Sequence, residues 1–429
     1  MIEQLISYLN ASPTAFHAVA QSEGMLEGFT RLEESQPWNL VPGGRYVVTR
    51  NQSSLIAFVM PGEKALGFQV VASHTDSPMF KLKEMAELTS QDYVRLNTEG
   101  YGGMIISTWL DRPLSIAGRV FARQGNTLAT RLVDLADHTV LIPNVAIHMN
   151  RELNDGFKYK PNVDLPPLYG LGNSAGTFRN LVADCAGVRE EDMLGWDLYL
   201  YNRMPGQIWG ADNAFFSAPR IDNLECAFCS VQALKSAKPS RHVQMIALFD
   251  NEEVGSTTRQ GAASTFLSDV MERIGLESGM QRLDYLRALH NSMMLSADNA
   301  HAVHPNHPEF SDPVNRVYMN KGIVIKANAN QKYTSDSVSA GLFRSMLKES
   351  DVPYQSYYNR SDMRGGSTLG NISGTQVSLC TVDIGCAQLS MHSCYETAGT
   401  QDAEYMSRGM QAFLESDVIA CADGTFALG

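Results

Sequence analysis

His74 and Asp76 stand two residues apart directly behind an apolar run at 68–73. Asp250, Glu252 and Glu253 follow a second run at 243–249, and Asp298 follows a third at 293–297. Asp222 opens a helical stretch within Arg220-Ile221-Asp222-Asn223, and His392 lies in Met391-His392-Ser393 behind a further apolar run. A mixed set of imidazoles and carboxylates suits Zn, Mn or Co, whereas oxygen ligands alone would suit Mg or Ca. Taken singly, a histidine behind a strand is usually a satisfied polar residue, and adjacent glutamates are usually solvated. Two like charges behind an apolar strand, however, approach the core, where bare anions are costly and a dication removes most of that cost. The His-x-Asp spacing lets Asp76 accept the second imidazole N–H of His74 and fix its tautomer. Two ions need a bridging carboxylate, terminal ligands of both kinds and a free base. One glutamate of the adjacent pair can ligate while its neighbour takes the proton and delivers it to a leaving amine. The chemistry is metal-assisted amide hydrolysis.

The elements that must position these groups alternate between strand and helix. The chain opens with a helical pattern (Ile2, Leu5, Ile6, Leu9), followed by a second helix with Ser12 as N-cap and Pro13 at its first position. Runs at 54–60 and 67–73 predict buried strands. From about 80 to 205 the texture changes to short alternating segments, such as 93–96, 114–117 and 140–142, broken by Gly, Pro, Asn and Asp, which predicts a mostly β insertion. Beyond about 206 come a helix at 223–237, a strand at 243–249, a helix near 258–274, strands at 293–297 and 323–327, and a closing helix at 401–415. The expected fold is α/β, a mixed or parallel sheet covered by helices and interrupted by a β-rich insertion. Residues 1–79 and 206–429 would form the catalytic domain, with 80–205 inserted. Ligands in such folds gather at the carboxyl ends of strands, where the acidic and histidine residues fall.

Composition removes several classes. The 429 residues carry 34 Lys+Arg against 46 Asp+Glu, a net charge of -12, which disfavours nucleic acid and anionic membranes as partners. The start has no basic region or apolar core of a secretory signal, and no run of about 18 apolar residues predicts a membrane span. Seven scattered cysteines do not form a disulfide framework, and a cytoplasmic location is expected. Cys226-x-x-Cys229 reads as small residues on a buried helix face. His301, His304 and His307 are interrupted by Pro305 and Pro308, which favours a substrate-contacting loop over a metal site. Arg364-Gly365-Gly366-Ser367 lacks the P-loop pattern and reads as close backbone packing.

Five ordered stretches resemble the aspartyl aminopeptidases of the M18 metallopeptidase family: Ser73-His74-Thr75-Asp76-Ser77-Pro78, Arg220-Ile221-Asp222-Asn223-Leu224, Asp250-Asn251-Glu252-Glu253-Val254-Gly255-Ser256, Ser296-Ala297-Asp298-Asn299-Ala300-His301-Ala302-Val303-His304-Pro305-Asn306 and Met391-His392-Ser393. The resemblance implies a zinc-aminopeptidase-like catalytic domain and an inserted dimerisation domain that builds a dodecamer. It also implies two divalent ions per subunit, Zn with Mn or Co as alternatives. His74 and Asp298 would be terminal ligands of one ion, Glu253 and His392 of the other, and Asp222 the bridge. Glu252 matches the general base and Asp76 the residue that orients His74. His301, Lys326 and Tyr333 fall in substrate-contacting segments, and His148 matches a residue that reaches a neighbouring subunit's site. The implied substrates are peptides with an N-terminal Asp or Glu, with Lys326 as the candidate cation for the acidic side chain. The alternative is a related two-metal carboxypeptidase or N-acyl amino acid deacylase. The sequence departs from the family at Cys394-Tyr395, where an Arg is usual before Glu396, and at Cys386, where Pro is common.

Overall fold

The computed structural model describes residues 1–429. Its central feature is a nine-stranded mixed sheet. In spatial order the strands are Thr30–Leu32, Arg45–Arg50, Ser54–Val59, Val243–Phe249, Phe68–His74, Met293–Ala297, Cys380–Gly385, Ile323–Lys326 and Tyr354–Tyr357. Val243–Phe249 and Met293–Ala297 flank Phe68–His74 in parallel, and Cys380–Gly385 continues the parallel run. These four strands are buried along nearly their whole length, which explains why Phe68–His74, Val243–Phe249 and Met293–Ala297 read as mainly apolar runs rather than alternations.

Each face of the sheet is closed by its own apolar cluster. One gathers side chains of the helices Ile2–Ala11, Ala15–Met25, Ile221–Ser236, Ser337–Glu349 and Asp402–Glu415; the other gathers those of Phe266–Glu277 and Arg282–His290. The sheet is therefore sandwiched by helices, as the alternating pattern predicted. In Ile221–Ser236 thirteen residues are buried, Cys226 and Cys229 among them as free thiols. An element buried all round has no polar stripe, and its helical period is correspondingly weak.

A second sheet of six antiparallel strands is built from Thr127–Asp134, Leu114–Gln124, Met193–Asn202, Met79–Ser90, Tyr93–Tyr101 and Leu168–Leu171, in that order. It packs a separate apolar cluster around Phe80, Trp109, Leu114 and Leu198. A third sheet of five short strands joins Gln207–Trp209, Phe215–Ala218, Glu396–Gly399, Ala387–Leu389 and Ala300–His301. No helix is long and apolar enough to cross a membrane.

Three local expectations need correction. The second helix starts at Ala15 with Thr14 as its N-cap, because Ser12 instead closes the first helix by donating its amide to Leu9. The helix expected from 258 begins at Phe266. The preceding segment folds onto Asn251, whose Oδ1 accepts from Thr258 and Gln260, so local side-chain hydrogen bonds displace helical ones there. Finally, 140–142 is reduced to isolated bridges rather than a strand.

Candidate active site

Parallel pairing sets His74 opposite Phe249 at the carboxyl ends of two adjacent strands. The next strand ends at Ala297, so the chain delivers His74, Asp250 to Glu253 and Asp298 to one rim. Beyond Phe249 the backbone turns through Asn251, with φ 63°, into a single 3-10 turn over Glu252–Val254. Two close approaches shape this rim. A Cβ on Gly385 would fall 2.1 Å from the Asp298 carbonyl oxygen, and one on Gly102 would fall 3.0 Å from Glu253 Cβ. Both positions exclude a side chain.

Asp222 reaches the same rim from the distorted first turn of its helix, where Asp222 and Asn223 depart from helical dihedrals. One carboxylate oxygen faces each histidine: Oδ1 lies 3.5 Å from His74 Nε2, and Oδ2 lies 3.5 Å from His392 Nε2. His74 Nε2 is also 3.6 Å from Asp298 Oδ1, and His392 Nε2 is 3.3 Å from Glu253 Oε2. Two triads thus share Asp222: His74–Asp222–Asp298 and Asp222–Glu253–His392, each with ligand atoms within 4.8 Å of one another. His74, Glu252 and Glu253 form a third such group.

The electrostatics are those of a site built around positive charge. Burial pushes Glu252 up to about 8, with Asp298, Asp76 and Asp222 adding to the rise and His74 opposing it. Burial and then Asp222 hold Glu253 well above the ordinary carboxyl range. Burial disfavours charge on Asp222 as well, but His392 and His74 overcome it and keep the carboxyl low. For His74, burial opposes protonation and is outweighed by Asp222, Asp298 and Asp76, so the imidazole stays well above its usual value. Asp222 Oδ1 and Glu253 Oε1 are buried without a hydrogen-bond donor. An unsatisfied buried polar atom costs about 1–3 kcal/mol, and more when charged. The donor chemistry and these two orphaned oxygens both fit a bound dication.

The family model for the aminopeptidase I zinc metalloproteases (M18) matches residues 8–414. The chain belongs to the M18 metallopeptidase family. It is 45% identical over 422 residues to a probable M18 family aminopeptidase 2 of Clostridium acetobutylicum, covering 96% of this chain and 98% of that one. A similar protein from Stutzerimonas stutzeri is 40% identical over 423 residues, covering 96% and 97%. Among solved structures, Ape4 in its complex with Nbr1 superposes with a TM-score of 0.93 at 34% identity, covering 96% of this chain and 85% of that one. The mApe1 dodecamer of S. cerevisiae gives 0.84 at 27% identity, covering 96% and 95%. This M18 member is accordingly a metallo-aminopeptidase, a hydrolase of a zinc-dependent family.

Within the M18 site, the structure separates the sequence candidates. His74, Asp222, Glu252, Glu253, Asp298 and His392 converge. Asp76 differs in detail from the expectation. His74 Nδ1 is 3.1 Å from its main-chain oxygen and 3.4 Å from Oδ1. The carboxylate is more directly engaged by the amides of Glu252 and Glu253, at 3.1 and 3.2 Å, and by the Tyr101 hydroxyl at 2.7 Å. Lys326 is 1% exposed. Its ammonium donates to the carbonyls of Asp298 and Asn299 at 2.7 and 3.3 Å and lies 5.1 Å from the Tyr333 ring centre. His301 is on the rim of a cavity of about 290 Å³ that also borders Tyr357, Arg360, Arg364 and Ser390. His148 lies on an exposed turn and joins none of the three groups.

Tyr101 and Glu396 are functional candidates the ligand pattern did not single out. Tyr101 comes from the second sheet, accepts from Asn251 Nδ2 at 2.8 Å and donates to Asp76. No periodicity announces such a contact across 150 residues of sequence. Glu396 had one signal, its place four residues after His392.

Proposed function

We propose that this M18 enzyme removes N-terminal residues, preferentially Asp or Glu, at a two-zinc site. The observation that carries the reading is the sharing of Asp222, one oxygen toward His74 and the other toward His392. His74 and Asp298 would hold one ion, Glu253 and His392 the other, with Asp222 between them. Bound zinc supplies an acidified water and a Lewis acid for the scissile carbonyl. Glu252 would take a proton from the attacking water and return it to the departing amine. A carboxyl held near neutrality suits both transfers, and Glu252 is pushed up in the metal-free protein. Asp76 holds the Glu252–Glu253 turn in register by its two amide contacts. His301 and Tyr333 are assigned to the substrate wall, and the Lys326 ammonium lies 5.1 Å from the Tyr333 ring centre while donating to the Asp298 carbonyl.

The acidic preference rests on the family resemblance, with Lys326 the candidate cation, buried behind the Asp298 and Asn299 carbonyls to which it donates. Membership among aminopeptidases favours release from the N-terminus over the carboxypeptidase and deacylase alternative. Residues 80–205 are assigned as the dimerisation unit, and His148, from its exposed turn, as the residue offered to a neighbouring subunit. The dodecameric S. cerevisiae relative supports assembly of this kind, and the cytoplasm is the assigned location.

The test is turnover of Asp-p-nitroanilide against Ala-p-nitroanilide, with zinc counted per chain. Two zinc ions and a higher kcat/KM for Asp support the reading. One ion, no ion near Asp222, or cleavage of N-acyl amino acids alone defeats it. Lys326→Ala should erode the Asp-over-Ala ratio; an unchanged ratio would transfer acidic recognition elsewhere on the cavity wall, where Arg364 is available.

A further inference from the structure

Glu396 is 2% exposed and spends both carboxylate oxygens on polypeptide amides or side-chain amide groups. It begins the strand Glu396–Gly399, in register with Ala218 on the neighbouring strand. Its Oε2 accepts from the Asp222 amide at 3.0 Å, and its Oε1 accepts from the His392 amide at 2.7 Å. Gln388 Nε2 adds a third donor to Oε1 at 3.2 Å. Asp222 and His392 come from unrelated elements, a distorted helix start and a hairpin connection, and this one carboxylate ties their main chains together.

The arrangement repeats what Asp76 does at the other edge, where Oδ1 and Oδ2 accept from the Glu252 and Glu253 amides. All three residues of the Asp222–Glu253–His392 group therefore have their amides held by a buried carboxylate. The other group is anchored differently. His74 is the last residue of a central strand, and the Asp298 amide bonds the Ile384 carbonyl at 3.0 Å. His392 has no such support from the nine-stranded sheet, and its backbone is left-handed at φ 67°, a conformation a histidine keeps only when its surroundings impose it.

We propose that Glu396 is a positioning residue that sets the spacing of Asp222 and His392 and so shapes the second ion site, resting on the two-zinc reading above. Two convergent N–H groups require two acceptor oxygens. A glutamine supplies one and turns an NH2 toward the other amide, while an aspartate is one methylene short of spanning both. Partners that orient metal ligands through a second contact typically change metal affinity or activity by about 10–100-fold when altered.

The experiment compares the full chain with Glu396→Gln, Glu396→Asp and a control, Asp402→Asn. Asp402 is also a buried carboxylate that accepts two amides, from Asn320 and Gly322, but neither belongs to the metal groups. Zinc affinity is read by competition with a chromophoric chelator, zinc per chain by elemental analysis, and amide exchange at 387–396 on the metal-free protein. Glu396→Gln should weaken the zinc on the His392 side by about 10–100-fold, weaken the other less because Asp222 is shared, and speed exchange at His392. The kcat should fall with KM little changed. Asp402→Asn should lose thermal stability but keep both zinc affinities. Native zinc binding and exchange in Glu396→Gln overturn the assignment, as does an equal zinc loss in Asp402→Asn. Should the glutamine variant aggregate, Glu396→Asp carries the same measurements and the same criteria. A native chain that holds one zinc refutes the two-ion reading separately; Glu396 is then judged by the affinity of that single ion.

Discussion

The two histidines of the site are held by different means. His74 ends a buried strand in the middle of the nine-stranded sheet, and its side chain is 1% exposed. His392 sits on the connection between Ala387–Leu389 and Glu396–Gly399 in the small third sheet, with its side chain 34% exposed. Sheet hydrogen bonding and packing on both faces fix the first without further help. The second must be held by local carboxylate-to-amide contacts and by the neighbouring antiparallel sheet. Cys394 and Tyr395 contribute to that second support. Cys394 Sγ donates to the Thr108 carbonyl at 2.7 Å, and the Tyr395 hydroxyl donates to the Pro205 carbonyl at 2.8 Å. One half of the site is thus part of the core and the other half is mounted on it.

The chemistry shared by both halves gives the largest expected effect. Glu252→Gln should keep zinc and fold but lower kcat by about 10²–10⁴-fold, the range of a lost general base; kcat with a parallel zinc assay measures it. Next, His74→Ala and His392→Ala should both abolish turnover but differ in stability. Removing the buried imidazole strips Asp222 and Asp298 of their nearest cation partner inside the core, so the metal-free His74→Ala chain should melt well below the metal-free His392→Ala chain. Equal melting temperatures would erase the contrast between the halves.

The pH dependence of the metal-free protein follows from the same charges. Glu252 and Glu396 are raised to about 8 and Asp250 to about 7, chiefly by burial, so the folded chain holds protons that the unfolded chain releases near pH 4–5. His74, raised despite its burial by Asp222, Asp298 and Asp76, acts in the same direction. Asp222 is lowered, and its contribution is already complete at such pH. With more protons bound folded than unfolded, stability falls as pH rises. Melting of the metal-free protein should therefore drop between pH 5 and 8, and zinc should flatten the profile by replacing those protons. A rising profile would contradict the burial of these carboxyls. Smallest of all, Tyr101→Phe removes a hydrogen bond to the Asp76 carboxylate, worth about 1.5–3 kcal/mol. It should lower the melting temperature by a few degrees and raise amide exchange at Glu252 and Glu253 more than at His392.

Much of the fold was legible because burial writes itself into sequence. The central strands 68–74, 243–249 and 293–297 are buried on both faces and mostly apolar, and a ligand placed directly after such a run has only the sheet rim to occupy, whereas 380–385, interrupted by Thr381 and the buried Asp383, was not expected as a strand. The helix expected from 258 failed for the opposite reason: polar side chains in that segment were recruited by Asn251, a contact decided by proximity rather than by period.

By itself, then, the sequence determined the residue types of the site, the order in which the chain delivers them, and the strands that carry His74, Glu252, Glu253 and Asp298. Those follow from local pattern and from the rule that connects strand ends to sites. Only the tertiary structure decided how the set divides. It aimed the two oxygens of Asp222 at two histidines 318 residues apart, turned the Lys326 ammonium onto the Asp298 loop, and placed Glu396 under both Asp222 and His392. Such choices depend on where a side chain points within a few ångströms. That is set by the packing of elements distant in sequence, and no spacing along the chain encodes it.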